Sequence, residues 1–258
     1  MSDTTRISWT DMTHNPWWGC ARVSPACRFC YADSTAQRWG FQVWRRHGER
    51  RMLSEANWAK PLRWNRDAER AGVPAKVFCA SMADVFEDHP DVAEPRKRLW
   101  GLIEVTPWLR WQLLTKRPEN VAGMVPWGSR WPSWVWLGTS VENQRYADER
   151  IPILLRLPAR VRFLSCEPLL GPVDLLTAPV DWVITGGESG ARARPTELGW
   201  LRSLRDQCAA MRTPFFFKQL GHPLSRELGV PGKGEEWDDL PEEFRVRQFP
   251  REAVTVAA

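Results

Sequence analysis

Six short apolar runs, each closed by polar residues, set the tightest limit on how this chain can fold. They are Lys76–Ser81, Leu109–Thr115, Trp134–Ser140, Val161–Cys166, Asp181–Thr185 and Pro214–Lys218. Runs of this length, rich in β-branched and aromatic residues, suit buried strands. Several of the stretches between them have helical spacing. Leu198, Leu201, Leu204, Cys208 and Met211 recur every three or four positions and give one apolar face. Residues 143–157 repeat the pattern more loosely around Pro152, and residues 91–105 place charges before Leu99, Leu102 and Ile103. Strands alternating with helices call for parallel pairing through right-handed crossovers. Six or seven such units without a linker predict an α/β fold, a complete or partial (β/α) barrel of parallel strands. The stretch between Cys166 and Asp181 is too short for a crossover helix, so one unit is degenerate. Residues 1–220 form the expected barrel-like domain. Residues 221–258 read as a C-terminal extension, partly loop, and as the most mobile part of the chain.

A chain of 258 residues buries enough surface to need no disulfide staples. Its hydrophobic share of 43% and charged share of 26% exclude a disordered or collagenous chain. No apolar run approaches the ~20 residues of a membrane span. The first residues lack a secretion signal, so the expected compartment is the cytoplasm and no membrane partner is expected. The net charge of +5 permits contact with polyanions without demanding it. Seventeen Trp against two Tyr read first as core or groove lining, with base stacking as the alternative.

The cysteines are unevenly placed. Cys20, Cys27 and Cys30 form a C-x6-C-x2-C cluster interrupted by Pro25, whereas Cys79, Cys166 and Cys208 lie apart in apolar settings as small buried residues. Clustered thiols in a reducing compartment bind metal or do redox chemistry more often than they form bridges. Structural zinc wants four ligands, and His14, six residues before Cys20, is the candidate fourth. The other candidate is a cubane 4Fe–4S cluster held by three thiolates, with one iron left for a small molecule.

In a barrel, reactive groups gather at the carboxyl ends of the strands. Here these positions carry Ser81, Asp84, Thr115, Lys116, Arg117, Ser140, Glu142, Asn143, Glu167, Glu188, Lys218 and Gln219. Glu167 lies in an apolar stretch, so it should pair with Lys116, Arg117 or Lys218, or face a solvent-filled cleft.

Trp9-Thr-Asp11, Asn15-Pro16, Gly19-Cys20, Cys27-Arg-Phe-Cys30, Leu114-Thr-Lys-Arg-Pro118, Ser140-Val-Glu-Asn-Gln144, Cys166-Glu-Pro-Leu-Leu-Gly-Pro172, Gly186-Gly-Glu-Ser-Gly190 and Phe216-Phe-Lys-Gln219 span most of residues 6–220. In these motifs the chain resembles a phage-associated three-Cys-motif family of unknown function. That family is similar to radical S-adenosylmethionine (SAM) enzymes, whose partial barrels hold a 4Fe–4S cluster in the loop after the first strand. Phe29 before Cys30 matches the radical SAM pattern, while the first gap here is six residues rather than three. The resemblance implies Cys20, Cys27 and Cys30 as cluster ligands, and SAM and an external electron donor as partners. It implies Ser140, Glu142, Asn143, Asp84 and Arg117 as cofactor-binding candidates and Glu167, Lys116 and Lys218 as catalytic ones. The substrate is open, with DNA or RNA a candidate, as for lyases that reverse ultraviolet lesions. The alternative is a non-catalytic zinc or iron–sulfur protein that binds nucleic acid or a partner protein.

Overall fold

The computed structural model describes residues 5–251. The chain enters through β1 (Met12–His14), and a small antiparallel pair, β2 (Trp17–Trp18) with β3 (Arg51–Met52), brackets the cysteine loop and α1 (Tyr31–Arg38). Two helices follow, α2 (Glu55–Trp58) and α3 (Lys60–Ala71). α3 opens on Pro61 and stops at Gly72, whose φ of +64° is the left-handed turn that only glycine adopts cheaply. From there strand and helix alternate: β4 (Ala75–Cys79), α4 (Ala93–Glu104), β5 (Leu109–Thr115), α5 (Pro118–Met124), β6 (Val135–Ser140) and α6 (Gln144–Leu155). β7 (Val161–Cys166) runs to β8 (Trp182–Gly186) with no helix between them, which is the degenerate unit. α7 (Leu198–Met211), β9 (Phe215–Gln219) and α8 (His222–Glu227) complete the series.

All seven main strands pair in parallel in the order β1–β4–β5–β6–β7–β8–β9. The sheet curls into a half-barrel, as the strand–helix alternation predicts for the partial form. Its convex face packs on the helices through Trp111, Leu113, Leu137, Leu164 and Val183 against Leu99, Ile103, Leu154 and Leu204. Its concave face carries a separate cluster of Trp9, Phe78, Trp136, Phe163, Trp182 and Phe216. With both faces covered, the strands read as nearly unbroken apolar runs, the usual mark of parallel sheets.

Residues 244–249 pack back onto the barrel. Phe217 and Gln248 donate backbone bonds to Val246 and Phe215, so residues 246–248 run along the outer edge of β9. Phe244 stacks on Phe217 at 4.6 Å, and Phe249 packs on Trp182 and Phe216. Covering the last strand in this way blunts an otherwise open edge. Among the described residues no helix is long and apolar enough to cross a membrane.

Candidate functional site

The carboxyl ends of the strands enclose a cavity of about 370 Å³, and Cys20, Cys27 and Cys30 all line it. The loop that carries them is fixed at several points. Gly19 has φ +118°, and a Cβ there would stand 2.6 Å from the Val43 carbonyl oxygen, so the turn requires glycine. Its N–H donates to the Met82 carbonyl at 3.0 Å, which sets Cys20 beside the end of β4. Pro25–Cys27 form one tight 3₁₀ turn, and Cys30 is the residue that opens α1.

Buried ion pairs hold this loop to the barrel. Glu87 accepts the Ala21 N–H at 2.6 Å and pairs with Arg50 through two bonds of 2.8 and 2.9 Å. Arg117 donates to the Ala21 carbonyl at 2.7 Å, to Cys20 Sγ at 3.5 Å and to Asp84 at 2.9 Å. Asp84 also accepts from the Thr115 hydroxyl at 2.8 Å and from the Lys116 and Phe86 N–H groups at 3.0 Å. Asp84 and Arg117 line the cavity as expected, but their bonds are spent on each other and on the loop. Arg50 and Glu87 were not legible as partners, because they lie 37 positions apart in no shared motif.

Burial pushes the Cys20 thiol up to about 12, against the pull of Arg117. Burial raises the Cys30 thiol too, opposed by the Asp33 backbone N–H at the start of α1 and by the charge of Lys116. A cation bound between them would take these protons off, because metal ligation needs the thiolate. Among the described residues, no three His, Cys, Asp or Glu side chains gather where a single ion would sit. A lone zinc draws its ligands to one point, whereas a cubane holds each thiolate on a separate iron. All three thiols line the same cavity. His14 does not serve the first arrangement. Its ring is wholly buried on the helix side of β1, edge-on to Trp58, Trp64 and Trp111 at 5.7, 6.5 and 5.8 Å. Desolvation there, with a smaller push from Lys60, lowers its pKa to about 3.

The remaining candidates divide. Glu167 pairs with Lys218 at the rim, one of the three cations the sequence offered, and both line the cavity with Lys116 and Ser140. The Ser140 hydroxyl and Gln219 Oε1 are buried without a partner, and both residues line the cavity. Gln219 is among the polar strand-end residues of the sequence, where it carries no assigned role, and it ends β9. Glu142 and Asn143 are absent from the lining. Glu142 is fully buried against Arg150 at 2.9 Å, and the Asn143 side chain caps α6 by accepting the Tyr146 N–H at 3.4 Å. β6 ends at Ser140, and beyond it Glu142 and Asn143 are taken up by contacts with α6. Gly187 sits where a Cβ would be 2.0 Å from the Leu220 carbonyl oxygen. Next to it, Glu188 holds Arg194, which reaches the Pro25 carbonyl at 2.9 Å and so ties the β8 loop to the cysteine loop.

A curled parallel sheet with a thiol-lined cavity at its carboxyl rim defines this protein as a partial (β/α) barrel. The chain belongs to the family described as "Protein of unknown function (DUF5131)", which residues 4–243 match. No curated protein matches it. Among solved structures it is similar to a mutant spore photoproduct lyase with bound AdoMet and dinucleoside spore photoproduct. That match has 15% identity and a TM-score of 0.50, covering 88% of this chain and 62% of that one. A single-site mutant of the same lyase matches at 14% identity and a TM-score of 0.50, with coverages of 88% and 62%. At this identity the likeness is one of fold, and the chain spans 62% of the length of the lyase chains.

Proposed function

We propose that this protein is a radical SAM-like iron–sulfur enzyme, with Cys20, Cys27 and Cys30 as the three ligands of a 4Fe–4S cluster and SAM in the cavity beside them. The observation that carries the reading is the company these thiols keep. One loop lends three of them to a single cavity that also holds two unsatisfied buried acceptors, Ser140 Oγ and Gln219 Oε1. Buried polar atoms normally have partners, so these two mark where a ligand's donors belong. With cluster, SAM and an electron from an external donor in place, such a site supplies reductive cleavage of the sulfonium and a 5′-deoxyadenosyl radical that abstracts hydrogen from substrate.

The chain's own groups have separable tasks. Asp84, Arg117, Glu87 and Arg50 hold the cysteine loop. Ser140 offers its hydroxyl to a ligand hydroxyl on the cavity floor. Lys218 pairs with one carboxylate oxygen of Glu167 at the rim, and the second can take a ligand ammonium. Lys116 is half-buried with no ion pair among the described residues and suits a carboxylate or phosphate. Trp9, Phe78 and Leu114 close the base of the cavity and keep water from it.

Anaerobic purification with iron and sulfide reconstitution tests this. The expected result is a full complement of iron, and 5′-deoxyadenosine formed from SAM with a strong reductant. Cys30→Ala should lose both the cluster absorption and at least about a thousandfold of the product yield, in the range lost when an essential catalytic group goes. Stoichiometric zinc, with no iron–sulfur absorption and no 5′-deoxyadenosine, would overturn the reading.

A further inference from the structure

The charge of this chain is concentrated in one place. Residues 20–52 contain seven arginines and two acids, Asp33 and Glu49, a formal +5 that equals the charge of all 258 residues. The rest of the protein is therefore neutral as a whole. This segment is the cysteine loop, α1 and the chain leading to β3, and Arg22, Trp44 and Phe29 from it line the cavity. Arg22, Arg28, Arg38, Arg45 and Arg46 are exposed, whereas Arg50 and Asp33 are inside.

The mouth of the cavity repeats the imbalance at atomic scale. The guanidiniums of Arg28, Arg192 and Arg194 stand 5.1, 5.0 and 5.2 Å from the centre of the Phe29 ring. Arg194 is neutralised by Glu188. Arg28 and Arg192 are exposed and have no carboxylate partner among the described residues, and Lys116 stands inside the same opening. The acids that line the cavity do not offset them, since Asp84, Glu167 and Glu188 are each paired with a cation already. Two unpaired guanidiniums held on one aromatic ring form an anion site.

We propose that this mouth binds the phosphodiester backbone of single-stranded nucleic acid and delivers one nucleotide to the cavity, an inference that rests on the enzyme reading for its catalytic meaning but not for the binding itself. Arg28 and Arg192 take backbone phosphates, and Tyr31, which is 52% exposed at the rim, supplies a face for an unpaired base. A single strand fits because a base must leave its stack to reach a recessed site.

The test is fluorescence anisotropy of a short labelled single-stranded oligodeoxynucleotide with the anaerobically reconstituted protein, across a salt series. Binding should fall steeply with salt. Arg28→Ala with Arg192→Ala should reduce the slope of log affinity against log salt by about 1.4, two released contacts at ~0.7 each, and weaken low-salt binding roughly tenfold. Arg66→Ala, on the exposed side of α3, should change neither. No binding at low salt, or an equal loss from Arg66→Ala, overturns the proposal, as does an acidic redox protein that needs Arg28 and Arg192 while the oligonucleotide does not. The two readings separate cleanly. Formation of 5′-deoxyadenosine with no oligonucleotide binding keeps the enzyme and removes this partner. Arginine-dependent binding without 5′-deoxyadenosine does the reverse.

Discussion

At the amino end of the concave face, β6 presents Trp136, β7 presents Phe163 and β8 presents Trp182, packed with Trp9, Phe78 and Phe216. Near the carboxyl end β6 and β7 present Ser140 and Ser165, paired in register, and beyond them stand Glu167 and Lys218. Side chains in a strand alternate, so every second residue shares a face, and β7 passes from ring to hydroxyl in one step from Phe163 to Ser165. Between the two ends, Gly138 has no side chain, and a Cβ there would lie 2.4 Å from the Phe163 ring. The ring fills that space. Packing is thus concentrated at one end and vacancy at the other, and the floor of the cavity is as rigid as the core beneath it.

The largest expected effect falls on the packed end. Phe163→Ala should cost about 3–5 kcal/mol, because a fully buried ring leaves a cavity that its neighbours cannot fill. Ser165→Ala, two residues along the same strand, should stay within about 1 kcal/mol. Urea unfolding of the two variants measures both. Equal losses would mean that the ends are not divided as described.

A second measurement asks which region His14 belongs to. Its pKa in the folded protein is lowered to about 3 from 6.5, so between these values the unfolded chain binds a proton that the folded chain refuses. Stability is then fully present above 6.5 and is lost as pH falls, at about 1.4 kcal/mol per pH unit. His14→Phe should flatten this acid limb while leaving the iron content unchanged. Iron lost together with His14 would move this residue back to the cysteine loop.

How much of this was legible beforehand follows the same division. The strand runs Leu109–Thr115 and Val161–Cys166 coincide with β5 and β7, and the spacing from Leu198 to Met211 coincides with α7, because packing alone sets those patterns. α2 and α3 were not read, although Trp58, Pro61, Trp64 and Ala68 show the helical period and Gly72 marks the stop. In the C-terminal extension, Phe244 and Phe249 pack on β9, while residues 252–258 lie outside the described residues. At the rim, residue type identified Glu167 and Lys218 and the strand-end rule brought in Ser140. Neither could tell that β6 ends at Ser140, leaving Glu142 to Arg150 and Asn143 to the start of α6. Pairing across distant loops has no local signature, so Arg50 with Glu87 and Glu188 with Arg194 needed the folded chain.

The smallest effect on stability should come with a large effect on binding, and it separates two kinds of ion pair at the same rim. Arg117 and Asp84 are both 8% exposed and hold the scaffold, so Arg117→Met leaves a buried carboxylate unpaired and should cost about 3–5 kcal/mol. Lys218 and Glu167, at 18% and 16%, face the cavity, and water screens part of what they gain from each other. Glu167→Gln keeps the shape and removes the charge. It should move unfolding stability by less than about 1 kcal/mol, while SAM affinity, measured by calorimetry on the reconstituted protein, falls roughly tenfold for the loss of one charge-assisted hydrogen bond. A Glu167→Gln protein that is destabilised as much as Arg117→Met, yet binds SAM as before, would place this pair with the scaffold and leave Lys116 as the charged contact to the ligand.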